Sequence, residues 1–181
     1  MPGPAPRWRD LLALVREDWQ NHGCDWTRPG FRALAVHRFG VWRAALPLKL
    51  VRAPMTLLYR HLFRHCRNVY GIELPYSAKV GRGVVIEHQG GIVIHGNAVI
   101  GNRCIIRQGC TLGLRRLDDL FAAPVLDDGV QLGAGAVLLG RITIGQGAVI
   151  GANAVVLDDV PPRAIAVGIP ARVVLRTGDL P

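Results

Sequence analysis

The sequence predicts a mainly β protein: a parallel β-helix of hexapeptide repeats behind a short N-terminal α-helical region. Three observations predict it. From Leu126 an aliphatic residue recurs every six positions, as Leu126, Leu132, Leu138, Ile144, Ile150 and Val156. Glycine collects in the same part of the chain, with 4 of 22 before Gly71 and 18 from Gly71 onward. Charge divides the opposite way: residues 1–70 hold 12 Lys/Arg against 4 Asp/Glu, and residues 71–181 hold 10 against 9.

A period of six matches neither the alternation of a half-buried strand nor the 3.6 of a helix. Three six-residue edges closing into a triangular coil explain it. One aliphatic side chain per edge points to the axis, small residues turn the corners, and stacked coils pair at the usual spacing of about 4.8 Å. Glycine often follows the aliphatic position (Gly133, Gly145, Gly151), and a small or β-branched residue comes four places after it. An earlier block has the same period at Leu74, Val80, Ile86 and Ile92, then slips by two to Ile94, Ile100, Ile106 and Leu112. The repeat lapses between Leu112 and Leu126. Segment 113–125, with Arg115, Arg116, Asp118 and Asp119, reads as a protruding loop. Residues 74–160 without that loop make about four coils of about 18 residues. The open ends of a solenoid need caps. The segment after Val160, with Pro161, Pro162 and Pro170, is expected to turn back over one end and residues 1–70 to cover the other.

In that N-terminal region residues 10–20 read as a helix, with Leu11, Leu12, Leu14, Val15 and Trp19 on one broad face. Residues 31–46 read as a second, with Phe31, Leu34, Ala35, Arg38, Phe39 and Trp42 at three- and four-residue steps. Residues 55–68 read as a third, starting after Pro54, with Met55, Leu58, Tyr59, Leu62, Phe63 and Cys66 as its apolar side and Arg60, Arg64 and Arg67 on the other. Two regions follow: 1–70, basic and helical, and 71–181, the β-helix with its loop and C-terminal cap.

Composition excludes several classes. With 50% apolar and 19% charged residues the chain is not intrinsically disordered. Four cysteines without a Cys-x-x-Cys pair make neither a disulfide scaffold nor a structural zinc site. Cys104 and Cys110 fall inside the repeat and read as small core fillers; Cys24 and Cys66 carry no functional reading. The apolar stretch Leu11–Val15 is too short for a secretory signal, and no run reaches the roughly 18 residues that span a bilayer, so a cytoplasmic protein is expected. The net charge of +9 first suggests nucleic acid. It belongs to residues 1–70, where no nucleic-acid motif accompanies it. A solvated helical cap is the plainer reading, with peripheral contact to anionic lipid at the inner membrane face as the alternative.

Specific segments carry a family resemblance. Gly-Ile-Glu-Leu-Pro (71–75), Val-Gly-Arg-Gly-Val-Val-Ile-Glu-His (80–88), Gly-Ile-Val-Ile (91–94), Gln-Gly-Cys-Thr-Leu-Gly (108–113) and Gly-Ile-Pro-Ala-Arg-Val-Val (168–174) strongly resemble the serine acetyltransferase family. The helical segment Gly30–Trp42 is similar too. The resemblance implies a left-handed β-helix, an exception to the right-handed crossover rule. It also implies a homotrimer with active sites between subunits, and acetyl-CoA as co-substrate for acetylation of a hydroxyl.

Acetyl transfer to an alcohol needs a base for the hydroxyl proton and donors for the oxyanion. The resemblance assigns the base to His88, an orienting acid to Glu73 and the acidic neighbour of the base to Glu87. For acetyl-CoA it points to small residues where the pantetheine arm meets the coil backbone, Gly113, Ala134 and Ala152. Arg172 and, as an extrapolation, Arg176 are expected at the phosphates. His95 reads as a surface residue, with a place in the lining of the cleft as the alternative. A zinc carbonic anhydrase, which shares this β-helix, would need three histidines; residues 71–181 hold only His88 and His95, so no metal is expected.

The chain departs from the family at the acceptor. An Arg-His pair that holds serine in the family is Ala122-Ala123 here. Two alanines cannot grip a carboxylate as an arginine fork does; Arg115 or Arg116 is the expected substitute. The N-terminal region is about half the usual length, with Asp25 a weak counterpart of the family's Asp-Pro-Ala segment. The chain ends Gly-Asp-Leu-Pro rather than in the isoleucine that binds the next enzyme of cysteine biosynthesis. Serine follows from the family as acceptor. A sugar hydroxyl, as in the exopolysaccharide and colanic-acid branch, follows from the departures. A non-catalytic trimeric β-helix is the remaining alternative.

Overall fold

A computed structural model describes residues 7–174; Arg176 and the terminal Gly-Asp-Leu-Pro lie outside the described residues. Three helices come first: α1 (Trp8–Asn21), α2 (Pro29–Ala44) and α3 (Lys49–Val69). All three start earlier than expected, α1 by two residues at Trp8, and α2 and α3 in connection with a proline. Pro29 occupies the first helical position of α2, where a missing N–H costs no bond. Pro54 lies inside α3 instead of ahead of it. There it deprives the Leu50 carbonyl of a donor, at a residue that is 92% exposed to solvent. The inner side of α3 is Met55, Tyr59, Leu62, Phe63 and Cys66 as expected, while Leu58 faces solvent.

Short strands then wind through successive coils. The first coil holds β1 (Ile72–Glu73), β2 (Lys79–Val80) and β3 (Val85–Ile86). The second holds β4 (Ile92–Ile94), β5 (Val99–Ile100) and β6 (Ile105–Ile106), and the third β7 (Thr111–Gly113), β8 (Val125–Leu126) and β9 (Gln131–Leu132). The fourth holds β10 (Val137–Leu139), β11 (Thr143–Ile144) and β12 (Val149–Ile150). Last come β13 (Val155–Val156), β14 (Ile165–Gly168) and β15 (Ala171–Val174).

Three sheets form the walls: β1-β4-β7-β10-β13, β2-β5-β8-β11 and β3-β6-β9-β12-β14-β15. Every pairing is parallel except β14 with β15. The β-helix is left-handed.

Register explains the period of six. Ile94, Leu112, Leu138 and Val156 stack in the first sheet. Ile100, Leu126 and Ile144 stack in the second, and Ile86, Ile106, Leu132 and Ile150 in the third. All are buried, each aliphatic side chain contributing about 1.5–3 kcal/mol relative to exposure. Cys104 and Cys110 are buried among them as filler. Val160 bridges to Ile144 at the expected end of the repeat, and the repeat runs on past it, with Ala166 stacked on Ile150. The chain turns back only at Ile169–Pro170, because Pro161 and Pro162 fit a corner, against Gly145.

The helices cover the first coil. Arg38, buried in α2, ties the three parts together. It pairs with Asp18 of α1 at 2.9 Å and donates to the carbonyls of Val80 and Gly81 at 2.7 and 2.6 Å. Arg43 is buried between the rings of Tyr59 and Tyr76, 4.8 and 4.6 Å from their centroids.

Candidate active site

The slip in the repeat builds the site. Ile86 and Ile94 are both core residues but stand eight positions apart instead of six. The two extra residues enlarge the corner between the third and first sheets, and His88 sits on it. Its φ is +67°, a left-handed conformation that is costly for a residue with a side chain and recurs at functional sites. The enlarged corner is held to its neighbours above and below. Gly90 N donates to Tyr70 O, Ile92 N to Gly71 O and Gly109 N to Gly90 O, each at 2.9 Å.

From the N-terminal side the corner is held by α1 and α2. His22, buried at the end of α1, donates from Nδ1 to Asp18 O at 2.6 Å and accepts at Nε2 from Ile86 N at 3.2 Å. A neutral ring with its proton on Nδ1 satisfies both bonds. Gly30, in the first turn of α2, lies against the Ile86 carbonyl. The resulting open cleft of about 440 Å³ is lined by Arg28, Pro29 and Gly30 on one side and Ile86–Gln89 on the other.

The expected site residues distribute unevenly. His88 is exposed in the cleft. Glu87 is half-buried, and its carboxylate is held by Arg107 Nε at 2.8 Å. The register that stacks Ile86 on Ile106 sets this pair side by side. Glu73, also half-buried, lies on β1 beneath Val93. Among the described residues neither carboxylate hydrogen-bonds His88.

Ala134 and Ala152 occupy the same corner as His88 in higher coils, joined by the bond from Asn153 N to Ala134 O at 2.8 Å. Glycine backbone runs beside them. A Cβ on Gly109 would meet Gly135 Cα at 3.2 Å, so the coils stack closely at these two glycines; in the next coil the Asn153 amide lies over Gly135. Gly113 stands elsewhere. It ends β7 at the corner between the first and second sheets, where the loop departs. Arg172 lies exposed on β15 beyond the last coil. One chain therefore brings His88, Glu87, Ala134 and Ala152 to one corner, and leaves Gly113 on another.

The loop arginines do not reach the His88 cleft as substitutes. Arg115 donates to Leu157 O at 3.3 Å and Arg116 pairs with Asp118 at 2.8 Å, both on the loop's own corner. Ala122 and Ala123 are buried. His95 is half-buried on that corner too, accepting at Nδ1 from Asn97 N at 3.2 Å. The buried thiols are no nucleophiles: burial pushes the pKa of Cys66 and of Cys104 up to about 11, and that of Cys110 upward. Among the described residues no three His, Cys, Asp or Glu side chains converge as metal ligands.

Sequence reading missed His22, Gly30, Arg28 and Arg107. Gly30 lay in a quoted segment, without a reason. His22 and Ile86 are 64 positions apart, and no local pattern links them.

Residues 123–158 match the bacterial transferase hexapeptide (six repeats) model. A serine acetyltransferase of Synechococcus elongatus is 40% identical over 150 residues, 83% of this chain and 59% of that protein. A protein of Escherichia coli K12 named as a colanic acid biosynthesis acetyltransferase, WcaB, is 41% identical over 139 residues, 76% of this chain and 83% of that one. The soybean serine acetyltransferase apoenzyme superposes with a TM-score of 0.79 at 35% identity, covering 92% of this chain and 69% of that one. A Brucella abortus serine acetyltransferase in complex with coenzyme A gives 0.80 at 27%, covering 94% and 70%. The chain spans 50–59% of the length of the serine acetyltransferases of Escherichia coli and Synechococcus.

Proposed function

Since the chain belongs to the serine acetyltransferase family, we propose that it transfers acetyl from acetyl-CoA to an acceptor hydroxyl, with His88 as general base. The observation that carries this reading is the enlarged corner. His88 has a left-handed backbone there, in an open cleft, on the corner that carries the small residues Ala134 and Ala152 in higher coils. The Brucella relative's complex with coenzyme A supports acetyl-CoA as the donor.

In the reaction His88 takes the hydroxyl proton as the acceptor oxygen attacks the thioester carbonyl. The tetrahedral intermediate collapses, breaking the carbon–sulfur bond. The leaving thiolate recovers the proton from His88, so base and acid are one group. Glu73 orients the base. Glu87, neutralised by Arg107, keeps a second carboxylate beside the cleft without adding a free negative charge. Ala134 and Ala152 line the path of the arm, with Gly113 contributed from a neighbouring subunit of a homotrimer. Arg172 meets the phosphates. Leu117, Leu120 and Phe121 are exposed on the loop and support such a subunit contact.

Serine is the acceptor that family membership favours. A sugar hydroxyl is the second reading, and a specific observation favours it: Ala122 and Ala123 are buried and offer no side-chain donor to a carboxylate. The likeness to WcaB over 83% of that protein agrees with it. No helix among the described residues is long and apolar enough to cross a membrane. We place the enzyme in the cytoplasm, acting on this second reading at the inner membrane face on a lipid-linked sugar. Release of CoA thiol from acetyl-CoA, with L-serine or a panel of sugars and nucleotide sugars, tests the choice. Release with serine supports the first reading and release with a sugar alone the second. Release with neither overturns the proposed activity.

A further inference from the structure

We propose that the outer face of α3 is a docking surface for an anionic lipid bilayer. Between Asp25 and Glu73 the chain has nine Lys/Arg and no acidic residue, and five of the nine lie on α3. None of these five, Lys49, Arg52, Arg60, Arg64 and Arg67, forms an ion pair among the described residues. The same helix exposes large apolar side chains. Leu50 is 92% exposed and Leu57 68%; they stand two turns apart on one stripe, with Val51 and Leu58 beside them. The opposite side, with Tyr59 and Cys66, is buried.

The stripe is ordered along the helix. Its first half is Leu50, Pro54 and Leu57; its second is His61, Arg64 and Asn68. A helix with apolar side chains outward and cations alongside lies in the plane of a bilayer interface. The leucines enter the acyl boundary and the guanidinium groups meet lipid phosphates.

Charge decides between the candidate occupants. A second copy of this chain seated on α3 would bring four unneutralised cations, Lys49, Arg60, Arg64 and Arg67, against four more; Arg52 is half-buried, in line with Tyr59 and Cys66. An anionic leaflet neutralises them and covers the leucines at once. The surface deepens the reading of a lipid-linked acceptor and rests on that reading for its use. Its test is independent of turnover, so failure of one leaves the other standing.

The full chain would be sedimented with vesicles of phosphatidylcholine and with vesicles of equal parts phosphatidylcholine and phosphatidylglycerol. Two variants would be compared, Arg60→Gln/Arg64→Gln/Arg67→Gln and Leu50→Ser/Leu57→Ser, all solvent-facing changes. Wild type is expected to bind the anionic vesicles, to leave phosphatidylcholine unbound and to weaken as salt rises. Each variant is expected to lose about tenfold or more in vesicle affinity. Equal binding to both vesicle types, or undiminished binding by the arginine variant, would overturn the proposal. So would self-association of the unbound protein that the leucine variant abolishes, because a second copy would then cover α3.

Discussion

A Cβ on Gly30 would overlap the carbonyl oxygen of Ile86. The first turn of α2 is thus seated directly on the strand that ends two residues before His88. Gly30→Ala must push α2 away or distort the corner. Steric overlap in a packed site costs about 1–3 kcal/mol. Thermal unfolding should show that loss, with a lower kcat from a displaced His88. An unchanged melting temperature would show that α2 is not seated on the corner.

His22 holds the same strand by hydrogen bonding. His22→Phe keeps an aromatic ring but leaves the buried Ile86 N–H without an acceptor. An unsatisfied buried donor costs about 1–3 kcal/mol, measurable by denaturant titration. Loss of less than a few tenths would mean that Ile86 N finds another acceptor.

Asp18 and Arg38 form a buried pair in which Arg38 also serves two backbone carbonyls of the first coil. Removing the carboxylate alone, as in Asp18→Ala, leaves a buried guanidinium uncompensated and costs about 3–5 kcal/mol. Asp18→Ala/Arg38→Met should cost less than the sum of the single changes. A double-mutant cycle measures that coupling; strict additivity would contradict the pairing.

His37 gives the fold a pH dependence. Burial is the main cause that lowers its pKa from 6.5 to about 4, with the neighbouring Arg38 adding to it and a hydrogen bond to Pro75 O opposing it. As pH falls below 6.5 the unfolded chain binds a proton that the folded chain refuses, so stability falls. The loss grows until pH reaches about 4 and amounts to about 3 kcal/mol. Above pH 6.5 this group has no effect. His37→Gln should remove that part of the acid sensitivity when unfolding free energies at neutral and acid pH are compared; identical pH profiles would contradict it.

Much of the fold was legible because every coil repeats one local rule. Ile86, Ile106, Leu132 and Ile150 are core residues for the same reason, and one period exposes all four. The slip between Ile86 and Ile94 was visible as a break in phase. Its meaning was not, since only the stacked coils reveal an enlarged corner with His88 on it. The pairing of Glu87 with Arg107 depends on coil length, which the slip itself alters. Helix starts failed at Pro29 because a proline is at home either before a helix or at its first position, and at Pro54 because α3 carries an interior proline on its exposed side. The buried polar ties, His22 to Ile86 and Arg38 to Asp18, have no periodicity to betray them. Ala122 and Ala123 were noticed as a departure, but their burial and the distant engagements of Arg115 and Arg116 are properties of the folded loop.

On the proposed mechanism His88 removes the acceptor proton. The direct measurement is CoA thiol release by wild type and His88→Ala, on the acceptor that wild type uses, with both proteins shown to share one melting temperature. The variant should be slower by about 10²–10⁴-fold. Acetyl transfer surviving within a few-fold would contradict the assignment.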